Sequence, residues 1–191
     1  MLTMKRIVLF FIFTAIFTVV YGGSAVTSEP TEEEIEEVMS FFEEIIDTID
    51  GIGIFVHNTT IALPMFIPGF GVAWGLFSAY STGFAYSAIA ASNAQVAQLN
   101  PLAVLLTPFG LMEMASYSLA MSRSTLLAKD VFQKNWNQIK SDKLIISIEI
   151  GIVVTLLLIG GTTTGATHQK FKVIASLDFL NFRVVCKTNG C

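Results

Sequence analysis

The sequence predicts an all-α protein, a polytopic transmembrane helical bundle of about five spans with an acidic amphipathic helix on its extracytoplasmic side. Three observations lead there. Of 191 residues, 53% are hydrophobic and 14% charged, and the mean hydropathy is positive, so a single soluble domain of this size would lack the polar side chains to cover its surface. Between Arg6 and Arg123 there is no Lys or Arg, and that gap holds three apolar blocks. Most of the acidic residues crowd between Glu29 and Asp50, so charge is confined to short segments rather than spread over a solvated surface.

The first segment, 1–27, contains the apolar block Ile7 to Val20, preceded by Lys5 and Arg6 and succeeded by Tyr21-Gly22-Gly23-Ser24-Ala25-Val26. A basic flank, an apolar stretch and a small-residue end also describe a secretory signal cut after Ala25, whereas a length of about 20 residues favours a retained span. Either way, the acidic segment next in the chain lies on the outer side. That segment, 28–51, has a capped start at Ser28-Glu29-Pro30-Thr31, and Ile35, Val38, Met39, Phe42, Ile45, Ile46 and Ile49 recur at three and four. The spacing predicts an amphipathic helix with one acidic face and one apolar stripe.

Segment 52–166 is read as a four-helix membrane domain, with spans near 52–67, 69–92, 101–127 and 144–166. Pro68-Gly69 marks a tight turn, 93–100 an uncharged polar loop and 128–143 a basic cytoplasmic loop, while Pro64 and Pro68 shorten or kink the second span. Lys5, Arg6, Arg123, Lys129, Lys134, Lys140 and Lys143 then fall on the cytoplasmic side if the first span is retained. The tail 167–191 is extracytoplasmic, and its Cys186 and Cys191 are either a small disulfide loop or two free thiols.

Within the spans, Gly71, Gly75, Ala79, Gly83, Ser87 and Ala91 form a ladder of small residues at every fourth position, the pattern that lets a neighbouring backbone approach closely. Glu113 stands near the middle of the fourth span, where a carboxyl must be protonated, paired or hydrogen-bonded, with Tyr117 one turn on and His57 or Asn58 as partners from the second span. A structural hydrogen bond between helices is the plain expectation for it, and proton relay or ion binding the sharper one. Arg123 and Glu149 flank the same loop at similar depth, which predicts a structural ion pair.

Phe55-Val56-His57-Asn58-Thr59-Thr60, the glycine-rich stretch Gly69 to Gly83, and Pro108-Phe109-Gly110-Leu111-Met112-Glu113-Met114-Ala115 resemble the stage II sporulation protein M family over about residues 50–128. Phe109 stands where that family carries a histidine, and Ser81-Thr82-Gly83 near its Asn-Gly pair. The resemblance implies a multispanning, non-enzymatic membrane component that supports envelope remodelling.

No phosphate-binding glycine loop, Gly-x-Ser-x-Gly elbow or His-Glu-x-x-His motif is present, and the two histidines are His57 and His168. The chain is therefore expected to be no enzyme, with no catalytic residue, metal or cofactor. Without an extended basic patch, nucleic acid is not an expected partner. Expected partners are membrane lipid, other membrane or envelope proteins, and a second copy of the chain. The leading expectation is an assembly or scaffold subunit, the ladder, acidic helix and tail recruiting those proteins. A small-solute or proton transporter using Glu113, and an accessory subunit of a larger membrane enzyme, are the alternatives.

Overall fold

A computed structural model describes residues 4–48 and 51–163, excluding the side chains of residues 42–48. Every regular element among them is helical. The order is α1 (Met4–Thr27), α2 (Glu32–Thr48), α3 (Gly51–Ala62), which tightens into a 3₁₀ turn (Leu63–Phe66), α4 (Phe70–Ser92), the short α5 (Ala94–Ala97) and α6 (Pro101–Leu105), α7 (Pro108–Phe132), α8 (Trp136–Ser141) and α9 (Lys143–Thr163). Two of these, α1 and α9, are long and apolar enough to cross a membrane.

Local chemistry sets the boundaries. Pro64 cannot donate to a continuing helix, so α3 tightens there, and Gly69 takes the left-handed conformation at φ 78° that reverses the chain into α4. The expected span over 101–127 divides in two because Pro101 and Pro108 each occupy a first helical turn, capped by the side chains of Asn100 and Thr107. A Cβ on Gly110 would strike the Val104 carbonyl and approach Leu105 Cα at 2.9 Å, so α6 folds tightly against the start of α7. At α2, the Thr31 hydroxyl faces the Glu34 amide while the Thr31 N–H donates to the Glu34 carboxylate at 2.8 Å, a reciprocal cap.

The long helices form one bundle. α1 and α4 run parallel: Ser24 donates to the Tyr80 carbonyl at 2.8 Å and Ser87 to the Ser28 carbonyl at 2.9 Å, so position rises along both together. α7 runs opposite to them, with Phe17 of α1 against Tyr117 and Ser124 donating to the Ile67 carbonyl at 2.6 Å. α9 closes the bundle, its Gly161 meeting Gly51 at the start of α3, where an added Cβ would lie 2.8 Å from the Gly51 carbonyl oxygen.

The interior is polar for a helical core. Ser116, Ser118, Ser122, Arg123 and Ser124 of α7 are buried, alongside Phe13, Phe17, Tyr21, Met65, Ala79, Met121, Val153 and Leu157. The outside is correspondingly apolar, with Phe11, Val19, Phe77, Phe132, Ile148 and Leu158 exposed. α2 lies along α4, its glutamates 32–37 exposed and Ile35, Val38 and Met39 half-buried, with Ser92 donating to Met39 Sδ at 3.1 Å. The remaining stripe positions, Phe42, Ile45, Ile46 and Ile49, lie outside the described side chains, as does the whole tail with His168, Cys186 and Cys191.

Candidate functional site

The small-residue ladder has an internal use. Gly71, Gly75, Ala79 and Gly83 are buried, Ser87 is half-buried and Ala91 is exposed. A Cβ at Gly71 would strike the Met65 carbonyl, one at Gly75 the Met121 side chain, and one at Gly83 the Tyr21 carbonyl. The bare face of α4 is thus filled by the 3₁₀ turn, α7 and α1 of the same chain.

At one end of the bundle the structure brings Arg123 and Glu149 together, and two further charges join them. Both Arg6 and Arg123 pair with the Glu149 carboxylate, and Arg123 also reaches Asp142 at 3.3 Å. Arg123 is 2% exposed and Glu149 7%, so each carries a desolvation cost that the other offsets. Two cations and two anions leave the cluster electrically balanced. Arg6 escapes sequence reasoning because nothing local links the first turn of α1 to the second turn of α9; only its shared depth at the cationic end pointed there.

In the other half of the bundle, α3, α4 and α7 surround a cavity of about 540 Å³. His57 and Asn58 of α3 and Glu113 and Tyr117 of α7 all line it, so the four polar residues singled out in the sequence share one space. Asn58 is 6% exposed, Tyr117 is 1% exposed, and Glu113 is half-buried because its carboxyl faces the cavity. Tyr117 Oη lies in the field of the Glu113 carboxyl yet makes no hydrogen bond of standard geometry. Among the described residues no ion pair reaches Glu113.

The α4 wall adds residues that sequence reasoning missed. Ser78, Ser81 and Thr82 present hydroxyls, of which Ser78 and Thr82 donate to the carbonyls one turn back at 2.9 and 2.8 Å and keep their lone pairs free to accept. Trp74 and Phe77 supply aromatic surface, and Trp74 Nε1 donates to the Ile61 carbonyl at 3.0 Å, which fixes the indole across the α3/α4 seam. Trp74 stacks on Phe70 at 5.9 Å and lies 5.7 Å from Phe77. Phe41 of α2 also lines the cavity, so the acidic helix forms part of its rim.

A second groove of about 650 Å³ runs between α1 and the 98–102 segment, but no ionisable side chain lines it. No protein-family model, curated protein or solved structure matches the chain. Among the described residues no three His, Cys, Asp or Glu side chains converge as metal ligands. What the cavity offers chemically is one carboxyl, one imidazole, one phenol, one amide and the hydroxyls of Ser78, Ser81 and Thr82 among apolar and aromatic side chains, which is the make-up of a small-molecule site.

Proposed function

We propose that this chain is a five-span integral membrane protein that holds a small organic solute in the cavity between α3, α4 and α7, without catalysing a reaction on it. The observation that carries the reading is the placement of Glu113, with no ion pair among the described residues, beside a buried Tyr117 hydroxyl that makes no hydrogen bond of standard geometry, both on the wall of that cavity. A polar group held without a partner in low dielectric costs on the order of 1–3 kcal/mol, a cost met when a ligand completes it.

The membrane part rests on the distribution of side chains. α1 and α9 each have the length and apolarity of a span, about 36 and 32 Å at 1.5 Å per residue, and less than a third of their apolar windows is buried within the bundle. α4 turns glycines and Ser78 inward, and α7 turns serines and Arg123 inward. Such an inside-out pattern suits acyl chains as solvent. Orientation follows the charge: Arg6, Arg123, Lys129 and Lys134 mark the cytoplasmic end, and the α2 glutamates the outer end. The packing of Phe13, Phe17 and Tyr21 into the core, with Arg6 on Glu149, supports retention of α1 over cleavage.

A second reading, the assembly subunit that the family resemblance implies, is favoured by the exposed acidic face of α2, a surface suited to a basic envelope partner. The ladder adds little to it, since the rungs from Gly71 to Ser87 are used inside the chain. Two experiments test the proposal. With Cys186 and Cys191 replaced, a membrane-impermeant thiol reagent applied to intact cells should label Ser40→Cys and spare Lys134→Cys; the reverse pattern overturns the orientation. In nanodiscs, at least one class of small solute should raise the thermal midpoint of the wild-type chain, and Ala85→Phe, which fills the cavity, should abolish that rise. If Ala85→Phe responds as the wild type does, solute is bound elsewhere.

A further inference from the structure

The wall of the cavity narrows the chemistry of its occupant, on the reading that the cavity binds a solute at all. Its one strong anion is Glu113, and among the described residues no Lys or Arg lines it. A phosphate or carboxylate ligand would meet repulsion from Glu113 and no permanent cation, the His57 imidazole being the one basic side chain on the wall among the described residues. A metal ion would find a single carboxylate where three ligating side chains do not converge. A purely apolar guest would desolvate Glu113 and offer no hydrogen bond to it or to Tyr117.

We infer that the cavity takes an organic amine cation with an apolar body: the ammonium donates to the Glu113 carboxylate, the Tyr117 Oη lone pair and the Asn58 carbonyl oxygen, and the body lies against Trp74, Phe77 and Phe109. An entering ammonium brings the countercharge that an ionised carboxyl lacks there. Aromatic surface attracts a desolvated cation as well as covering hydrocarbon, so one wall serves both halves of the ligand. A volume of about 540 Å³ accommodates an arylalkylamine or a larger molecule of that type.

The test uses the full chain in phosphatidylcholine nanodiscs with Trp136→Phe, which leaves Trp74 on the cavity wall as the sole tryptophan reporter. Three probes of similar size are titrated: 2-phenylethylamine, 2-phenylethanol and 3-phenylpropanoate. The amine should change Trp74 emission saturably and bind about tenfold or more tightly than the alcohol, with the carboxylate weakest. Glu113→Gln should bring the amine down to the affinity of the alcohol. Equal affinity of amine and alcohol for the wild-type chain overturns the amine assignment while leaving a solute cavity in place, and this comparison needs no variant that must fold. Amine affinity unchanged in Glu113→Gln also overturns it. No saturable response to any of the three overturns the assignment and counts against the solute reading as well, and the thermal screen then decides that reading separately.

Discussion

Glu149 and Glu113 are both carboxylates on apolar helices, and the bundle treats them in opposite ways. Glu149 is closed in by Arg6 and Arg123, with Asp142 balancing the second guanidinium. Glu113 has no ion pair among the described residues, a phenol beside it that makes no hydrogen bond of standard geometry, and open space in front of both. Burial alone therefore does not mark function. A charge whose partners all come from the chain holds helices together, whereas one without an ion pair next to open space is where the proposed solute would bind.

Glu149→Ala should cause the largest change, because it removes the carboxylate that both Arg6 and the buried Arg123 pair with and leaves Asp142 as the remaining anion of the cluster. A loss of about 3–5 kcal/mol is expected, read as a lowered thermal midpoint in detergent or failure to purify as a single species. Arg6→Gln should cost less, about 1.5–3 kcal/mol, since Arg123 still holds Glu149 and the Arg6 side chain is 14% exposed. If the two variants cost the same, Arg6 rather than Arg123 is the principal partner of Glu149.

Glu113→Gln should behave in the other sense. No ion pair is lost and a carboxyl is replaced by a neutral isostere, so the thermal midpoint should stay level or rise, as at sites where function is held at the expense of stability. A drop comparable to that of Glu149→Ala would erase the distinction between the two regions and make Glu113 structural.

The smallest effect belongs to the exposed cap of α2. The Thr31 backbone N–H, and then its hydroxyl, hold the Glu34 carboxyl below the usual glutamate range. A folded value below the unfolded one means that the cap contributes fully above the unfolded value and is lost as pH falls through the folded one. Amide exchange in the first turn of α2 should therefore quicken on acidification below the usual glutamate range, while exchange in α7 stays unchanged. Thr31→Ala should remove that pH dependence.

Periodicity and charge carried much of the architecture. The helical stripes of α2, the turn at Pro68-Gly69, the break at Pro64 and the approach of Arg123 to Glu149 all follow from residue spacing, because each depends on neighbours within one hairpin or one turn. The division of 101–127 was readable in Pro101 and Pro108, but one apolar run reads as one span unless both prolines are weighed as first-turn residues. The ladder was visible as a face, whereas its partner was not, since Gly83 opposes Tyr21 some sixty positions earlier in the chain.

From composition and order alone came the helical class, the apolar segments and the cation-free stretch between Arg6 and Arg123, because backbone hydrogen bonding and side-chain hydration act locally. Tertiary structure decided which helices are neighbours, and with that it decided that Arg6 completes the ion cluster and that Asn58, Trp74, Glu113 and Tyr117 enclose one space. Such choices depend on how ridges and grooves of distant segments fit together, a shape that no local window of sequence contains.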